Sequence, residues 1–262
     1  MKNKCLIITM IILLSIIVIG LIALLYFVIS GKHKFYIGLN KEKTSEDIIY
    51  EESYELDKID CIEVLSSAGN VKFEENTDGK IKVVVYGKNN GKLRVDLNNN
   101  KLRIDYPERI NFFGINSYMN EIIVYVPQNY SKEIKIDLDY GNVEILDLEQ
   151  ATIDIKEDCG NVNLGKIKNV TIKNDYGDIE IEEVLNKLNI KSNCGNIKID
   201  NVKLLEDSII KSDLGDVIID GTNDIFIDAD VDLGDSKVNN NNRQAEITLE
   251  IKVDCGNIKV DN

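Results

Sequence analysis

The chain has 262 residues with 31 Lys or Arg against 45 Asp or Glu, which gives a formal net charge of −14. Such an acidic chain is unsuited to nucleic acid, because phosphate binding needs clustered Lys and Arg. Its single histidine, His33, also excludes a His-rich zinc site.

The first element in chain order is an uncharged segment from Cys5 to Ser30. It is longer than the ~20 apolar residues that cross a bilayer, and it lacks the polar face of a core helix. A cleaved signal peptide is the alternative, but its apolar core runs only ~7–15 residues. We therefore predict a transmembrane signal anchor over residues 5–30, behind a short cytoplasmic tail of residues 1–4. Lysines flank both ends of the segment, so charge alone does not set its orientation.

The next segment, residues 31–54, mixes charged and apolar side chains, which is typical of a juxtamembrane spacer. All 45 acidic residues and 27 of the 31 basic ones follow residue 34, so that part of the chain carries 27 − 45 = −18. We assign residues 55–262 to one folded domain. No amphipathic helix is evident in it, and its strongest pattern is a repeat.

A short motif recurs seven times between Asp139 and Val260, mostly as Asp-x-Gly-Asn/Asp-Val/Ile, and a weaker copy stands at Ser67–Phe73. Its glycines are separated by 19, 17, 18, 20, 19 and 22 residues. Self-similarity at such a period indicates a solenoid in which each repeat forms one coil. The seven glycines are Gly141, Gly160, Gly177, Gly195, Gly215, Gly234 and Gly256.

Apolar and polar residues alternate before each motif glycine, as in Ile134, Ile136 and Leu138. This period of two indicates strands with one buried face. The alternation restarts out of phase at Val143, so the Gly-Asn/Asp pair marks a corner. We expect positive φ at the glycine, and we expect the Asn or Asp to hydrogen-bond nearby backbone. The predicted fold is an all-β, single-stranded β-solenoid with coils of about 17–22 residues, preceded by one transmembrane helix.

Coils stacked in chain order predict two columns of equivalent side chains. The column directly before each glycine is expected inside the solenoid and comprises Tyr140, Cys159, Tyr176, Cys194, Leu214, Leu233 and Cys255. The column two residues earlier comprises Leu138, Glu157, Asn174, Ser192, Ser212, Val231 and Val253. Buried Asn and Ser would have to pair along this second column, and Glu157 would mark a distorted coil.

Three cysteines of the first column, Cys159, Cys194 and Cys255, raise the question of a disulfide. They lie two and three coils apart in chain order, whereas a disulfide needs Cα atoms within ~7 Å. We therefore interpret them as buried free thiols that act as small hydrophobic residues.

The aspartate that opens each motif forms a row of like residues: Asp139, Asp158, Asp175, Asp213, Asp232 and Asp254, with Asn193 in the remaining copy. Clustered carboxylates can bind calcium, and converging carboxylates can serve general acid–base catalysis. We favour a structural role in which each Asp caps its own corner, because every repeat contributes the same residue. We therefore predict no catalytic, cofactor-binding or metal-binding residue and no enzymatic activity.

The motif and the strands before it resemble the DUF4097 family of adhesin-like domains. The matching segments are the entry segment Ile59–Phe73, the strands Lys80–Tyr86 and Lys101–Tyr106, and Glu121–Pro127, which ends in Val-Pro. The resemblance covers roughly residues 55 to 262. It implies a β-solenoid on a bacterial surface. Many members follow an N-terminal membrane segment, which supports an extracellular C-terminal domain.

Together these features favour a single-pass cell-membrane protein of a Gram-positive bacterium that carries an extracellular binding or structural module. Its expected partners are the membrane, through the anchor, and an unidentified protein or cell-wall polymer. The alternative is an envelope-stress sensor or regulator that acts through a membrane partner. A polysaccharide-active β-helix enzyme is less favoured. A fold alone does not decide among these functions.

Overall fold

The computed structural model describes residues 48–87, 91–107, 120–239 and 241–261. Within these ranges the protein is all-β, with one short 3-10 helix, Leu56–Lys58, and no α-helix. The predicted tail, the predicted anchor over residues 5–30 and most of the predicted spacer lie outside the described residues. Among the residues that are described, no helix has the length and apolar character to cross a membrane.

The strands before the repeats form one end of the sheet. They are β1 (Ile48–Glu55), β2 (Cys61–Ser66), β3 (Asn70–Glu75), β4 (Lys80–Tyr86), β5 (Arg94–Asn98), β6 (Lys101–Tyr106) and β7 (Glu121–Val126). Strand β4 runs antiparallel to β1 and β7, and β5 runs antiparallel to β6. Strand β1 falls largely within the predicted spacer, yet its pairing with β4 makes it part of the sheet.

The repeats form parallel strands. Most coils have a long strand that ends at the motif glycine and a short strand that follows it, but over Val162–Tyr176 and Ile179–Cys194 one unbroken strand runs from one motif glycine to the next. The strands are β8 (Glu133–Tyr140), β9 (Val143–Ile145), β10 (Leu148–Cys159), β11 (Val162–Tyr176), β12 (Ile179–Cys194), β13 (Ile197–Val202), β14 (Ser208–Leu214), β15 (Val217–Ile219), β16 (Phe226–Leu233), β17 (Ser236–Val238), β18 (Thr248–Cys255) and β19 (Ile258–Val260). Equivalent residues stack in register, as Ile153 does between Ile134 and Val170. Their inward side chains form one continuous apolar core.

The coils do not stack in chain order at either end, which contradicts the expected serial arrangement. Strand β2 lies between β6 and β8, so the coil that contains β6 lies outside the coil that contains β2. At the other end, β18 lies between β14 and β16, so the last coil of the chain is inserted before the penultimate one.

Burial explains why β18 takes the inner position. Its inward residues Leu249, Ile251 and Val253 are buried. In the outer strand β16 the equivalent residues are Ile227, which is buried, and the half-buried Ala229 and Val231. Apolar surface gains most stability where both sides are covered. The coil with the larger apolar side chains therefore lies inside, and the coil with the smaller ones forms the end.

The corner glycines confirm the predicted positive φ at most motif copies. Gly141 has φ +144°, and a Cβ there would lie 1.9 Å from the carbonyl oxygen of Gly69 in the neighbouring coil. A Cβ at Gly160 would lie 1.5 Å from the oxygen of Gly141. Glycine is required both for the backbone conformation and for the close approach of successive corners.

The Asn or Asp after each corner glycine links one coil to the next. The backbone N–H of Asn161 donates to Asn142 Oδ1 at 3.0 Å, and Asn161 Oδ1 accepts from the N–H of Asp178 at 2.9 Å. The same bond repeats without interruption along Asn70, Asn142, Asn161, Asp178, Asn196, Asp216, Asn257 and Asp235. The predicted side-chain bond to backbone is thus confirmed, and it runs between coils.

Candidate functional site

The residues directly before the corner glycines form one surface column, which we call the corner ridge. Parallel registers place Cys159 between Tyr140 and Tyr176, and Cys255 between Leu214 and Leu233. In spatial order the ridge comprises Tyr140, Cys159, Tyr176, Cys194, Leu214, Cys255 and Leu233.

The prediction that this column lies inside the solenoid is wrong. Tyr140, Tyr176, Leu214 and Leu233 are 40%, 62%, 51% and 69% exposed. They are four of the six exposed large hydrophobic side chains among the described residues. The chain turns outward at the corner, so the interior is occupied by Leu138 before it and Val143 after it. Tyr140 and Asn142, which lie between them, face solvent, and this breaks the period of two.

The thiols are free, as predicted, but they are not buried inside the fold. Cys159 and Cys255 are exposed, and Cys194 is half-buried. Because β18 is inserted before β16, the ridge alternates strictly between a bulky side chain and a cysteine. In chain order the last three members read Leu, Leu, Cys, so the sequence alone conceals this alternation.

The opening aspartates run beside the ridge, but they do not cap the corners as predicted. The corner amide of Gly160 donates to the carbonyl oxygen of Tyr176, and that of Asn161 to Asn142 Oδ1. Within this row, Asp175 Oδ1 accepts a hydrogen bond from Asn193 Nδ2 at 2.8 Å. The capping bonds come instead from the Asn or Asp after each glycine. In the described ranges no group of three or more His, Cys, Asp or Glu is placed to hold a metal ion.

A column of lysines, which the sequence analysis did not identify, lies two residues before the aspartates on the same strands. Its members stack on consecutive coils and are all exposed: Lys156, Lys173, Lys191, Lys211 and Lys252. Lys156 pairs with Asp137 at 3.2 Å, and this hydrogen bond raises the pKa of Lys156. The signal was present in the sequence as a Lys at one fixed offset from five motif glycines.

Beneath the ridge lies the second predicted column, and its burial is confirmed at every member except the half-buried Val231. Glu157 is 1% exposed and pairs in register with Leu138 and Asn174, so it does not distort its coil. Desolvation, followed by the charge of Asp158, raises the pKa of Glu157 to about 8. Asn174 Nδ2 donates to the carbonyl oxygen of Gly160 at 3.1 Å and approaches Glu157 Oε2 at 3.5 Å.

Pairing along this buried column is incomplete, in contrast to the expectation for buried Asn and Ser. Four oxygen atoms have no hydrogen-bond partner in the described part of the chain: Glu157 Oε1, Asn174 Oδ1, Ser192 Oγ and Ser212 Oγ. Buried polar atoms without partners cost stability. These unpaired oxygens therefore lower the stability of the fold directly below the ridge.

A separate shallow cavity of about 280 Å³ lies on the face of the short strands. Its lining residues are Lys72, Phe73, Glu74, Glu75, Glu144 and Leu146. Lys72 pairs with Glu144 at 2.8 Å, which raises the pKa of the lysine. The pair is partly exposed and screened by solvent, as is usual for surface ion pairs.

The family follows from comparison of the whole chain. The family described as Toastrack DUF4097 matches residues 59–262, which are most of the chain. The chain belongs to this family. The resemblance inferred from the repeat motif and the preceding strands is thereby confirmed. Comparison with curated proteins gives no match.

Three similar solved structures are distant in sequence from this chain. A "putative cell adhesion protein" from Clostridium sporogenes is 15% identical over 81% of this chain and 98% of that chain, with a TM-score of 0.39. A "putative adhesin" from Bacteroides fragilis is 17% identical over 80% and 96%, with a TM-score of 0.41. A "putative lipid binding protein" from Parabacteroides distasonis is 16% identical over 80% and 96%, with a TM-score of 0.40.

Proposed function

We propose that this Toastrack DUF4097 protein is a membrane-anchored binding module at the cell surface, and that the corner ridge is its contact surface. The single observation that carries the proposal is the exposure of bulky apolar side chains along one continuous column of the sheet. Scattered exposed apolar residues are normal on a soluble protein, but contiguous ones mark interaction sites. The ridge lies beside the row of Asn and Asp residues that follow the corner glycines and hydrogen-bond coil to coil, which we call the ladder. These bonds hold the ridge side chains in a fixed geometry.

The membrane part of the proposal is supported by the sequence of residues 5–30, which has the length and apolar character of a spanning helix. An N-in orientation would leave the domain and its ridge outside the cell. The ridge would then face proteins or cell-wall polymers of the envelope. The parallel, in-register stacking of successive coils supports a β-solenoid as the scaffold.

The test is site-specific photo-crosslinking in intact cells. A benzoylphenylalanine placed at Tyr176 on the ridge is expected to form a discrete adduct with the partner. The same residue placed at Leu205, which is 68% exposed but lies off the ridge, serves as the matched control. Equal adducts at the two positions, or adducts at Leu205 alone, would refute the ridge as the binding surface.

A further inference from the structure

We propose that the corner ridge binds a basic peptide in the polyproline II conformation, with an apolar side chain at every third residue seated above the ridge cysteines. This inference rests on the proposed function and identifies the class of partner. It starts from the alternation of bulky side chains and cysteines, which makes the ridge a row of notches.

Each notch is a cysteine between two bulky neighbours. Cys159 lies between Tyr140 and Tyr176, and Cys194 lies between Tyr176 and Leu214. The third notch, at Cys255, is closed by Leu214 and Leu233. A thiol is a small, soft, apolar group, so the floor of each notch accepts an apolar side chain.

The spacing of the notches selects the conformation of the partner. Adjacent notches are two strands apart, or about 9.6 Å. A polyproline II helix brings every third residue to the same face after ~9.3 Å, so the mismatch is only about 0.3 Å per notch. An α-helix repeats a face after two turns at ~10.8 Å, and a β-strand at ~6.7 Å, so neither follows three notches in register.

The charges beside the ridge select a basic peptide. The row of opening aspartates borders the ridge on one side, and the ladder residues Asp178, Asp216 and Asp235 border it on the other. Together they place nine carboxylates next to the ridge, whereas the five lysines of the lysine column stand two residues farther away. Lysine or arginine side chains of a bound peptide would lie between these two rows of carboxylates, which complement their positive charge.

The ridge also suits a partner whose backbone makes no internal hydrogen bonds. The strand amides at the ridge are used within the sheet, as in the bond from Gly160 N to the oxygen of Tyr176. The hydroxyl groups of Tyr140 and Tyr176 make no hydrogen bond with the described residues and face solvent. They can donate to the exposed carbonyl groups of a polyproline II chain, which is the usual recognition mode of aromatic-lined grooves.

The binding experiment uses the full chain in nanodiscs of zwitterionic lipid and a fluorescent peptide of four Lys-Pro-Leu repeats, ~37 Å long as a polyproline II helix. The matched control peptide has the same composition with its leucines at irregular spacing. We expect the regular peptide to bind at least about tenfold more tightly, because only it fills successive notches. Equal binding of the two peptides would overturn the register argument and leave charge alone as the cause.

Three substitutions distinguish binding in the notches from non-specific hydrophobic binding. Leu214→Ser removes a notch wall, and Leu146→Ser removes a side chain of matched exposure off the ridge, 51% against 49%. We expect only Leu214→Ser to weaken the regular peptide, by about fivefold or more. Cys194→Leu fills a notch while adding apolar surface. It should weaken binding, whereas tighter binding would show a hydrophobic surface without notches.

Other occupants give different results. Binding of a β-linked chitohexaose with no peptide binding would replace the peptide by a glycan. Dimerisation that Leu214→Ser abolishes would replace it by a second copy of the chain. Either result overturns this inference but leaves the ridge as the contact surface. Crosslinking in cells that is equal at Tyr176 and Leu205 would instead refute the proposed function itself.

Discussion

At the scale of single residues, the largest departure from ordinary behaviour is the buried carboxyl of Glu157. Its neighbours in the column are Leu138 on one side and Asn174 on the other, and no basic group pairs with it in the described residues. An ionised carboxylate in such surroundings loses its hydration without compensation, so the folded protein favours the protonated form.

Glu157→Gln is expected to stabilise the protein at and above neutral pH. The pKa of Glu157 is raised from 4.5 to about 8 on folding, so the folded state keeps its proton over this range while the unfolded state releases it. Wild-type stability therefore falls as pH rises from about 4.5 to about 8, by roughly 3–5 kcal/mol at most. The variant lacks this dependence.

Chemical unfolding of both proteins at pH 4.5, 6 and 8 measures the difference. Glu149→Gln, an exposed carboxylate of the same strand, is the control and should change stability little at any pH. A stability difference between wild type and Glu157→Gln that stays constant with pH would contradict the prediction.

The corner glycines give a second prediction at this scale. Gly177→Ala should cost about 3 kcal/mol or more, because φ is +144° and the new Cβ would lie 1.8 Å from the oxygen of Gly160. Gly79→Ala is the matched control, since its φ is +76° but no atom lies within 4 Å. It should cost only about 1 kcal/mol. Equal losses in thermal or urea unfolding would show that stacking distance is irrelevant.

At the scale of elements, the position of β18 decides which side chains are neighbours. Its insertion between β14 and β16 makes Leu214 and Cys255 adjacent, although 41 residues separate them in sequence. Serial stacking would instead place Leu214 beside Leu233. The alternation of the ridge therefore depends on this one exchange of coils.

An engineered disulfide tests the coil order. In a Cys194→Ser background, Leu214→Cys should form a bridge with Cys255 on mild oxidation, because paired Cα atoms on adjacent strands lie within the ~4.4–6.8 Å that a disulfide spans. The companion variant joins Leu214→Cys and Leu233→Cys with Cys194→Ser and Cys255→Ser, and it should remain reduced. Peptide mapping under non-reducing conditions identifies the linked residues. A bridge in the companion alone would establish serial stacking.

The elements also show what local pattern can and cannot predict. Alternation such as Ile134, Ile136, Leu138 predicted strands and a buried face correctly, because burial imposes a period of two along any strand. The side of Tyr140 was not predictable in this way, since a period of two continues it inward and only the turn at Gly141 points it outward. The order in which the coils stack could not be predicted, because every coil carries the same motif. The only indication in the sequence is that the inward side chains of β16 are less apolar, which fits a strand at the end of the stack.

At the scale of the whole molecule, the column of corners combines three structural roles, each carried by a different residue of the motif. The glycines allow close stacking, the following Asn or Asp residues bond coil to coil, and the preceding residues form the ridge. Nine of the 45 acidic residues lie along this same line. The repeat is therefore at once the source of the fold and of the surface that we propose for binding.

The exposed thiols provide the test of where the domain resides. If residues 5–30 anchor the chain with the domain outside, a membrane-impermeant maleimide should label Cys159 and Cys255 in intact cells, since both are exposed. A variant with serine at Cys159, Cys194 and Cys255 keeps Cys5, in the predicted anchor, and the buried Cys61, and it should lose most of the labelling. Labelling of wild type that requires cell lysis would place the domain inside, and the proposed surface function would fail. A partner that covers the ridge should make labelling of the wild type slower in intact cells than in the purified chain. In Leu214→Ser the two labelling rates should then be equal.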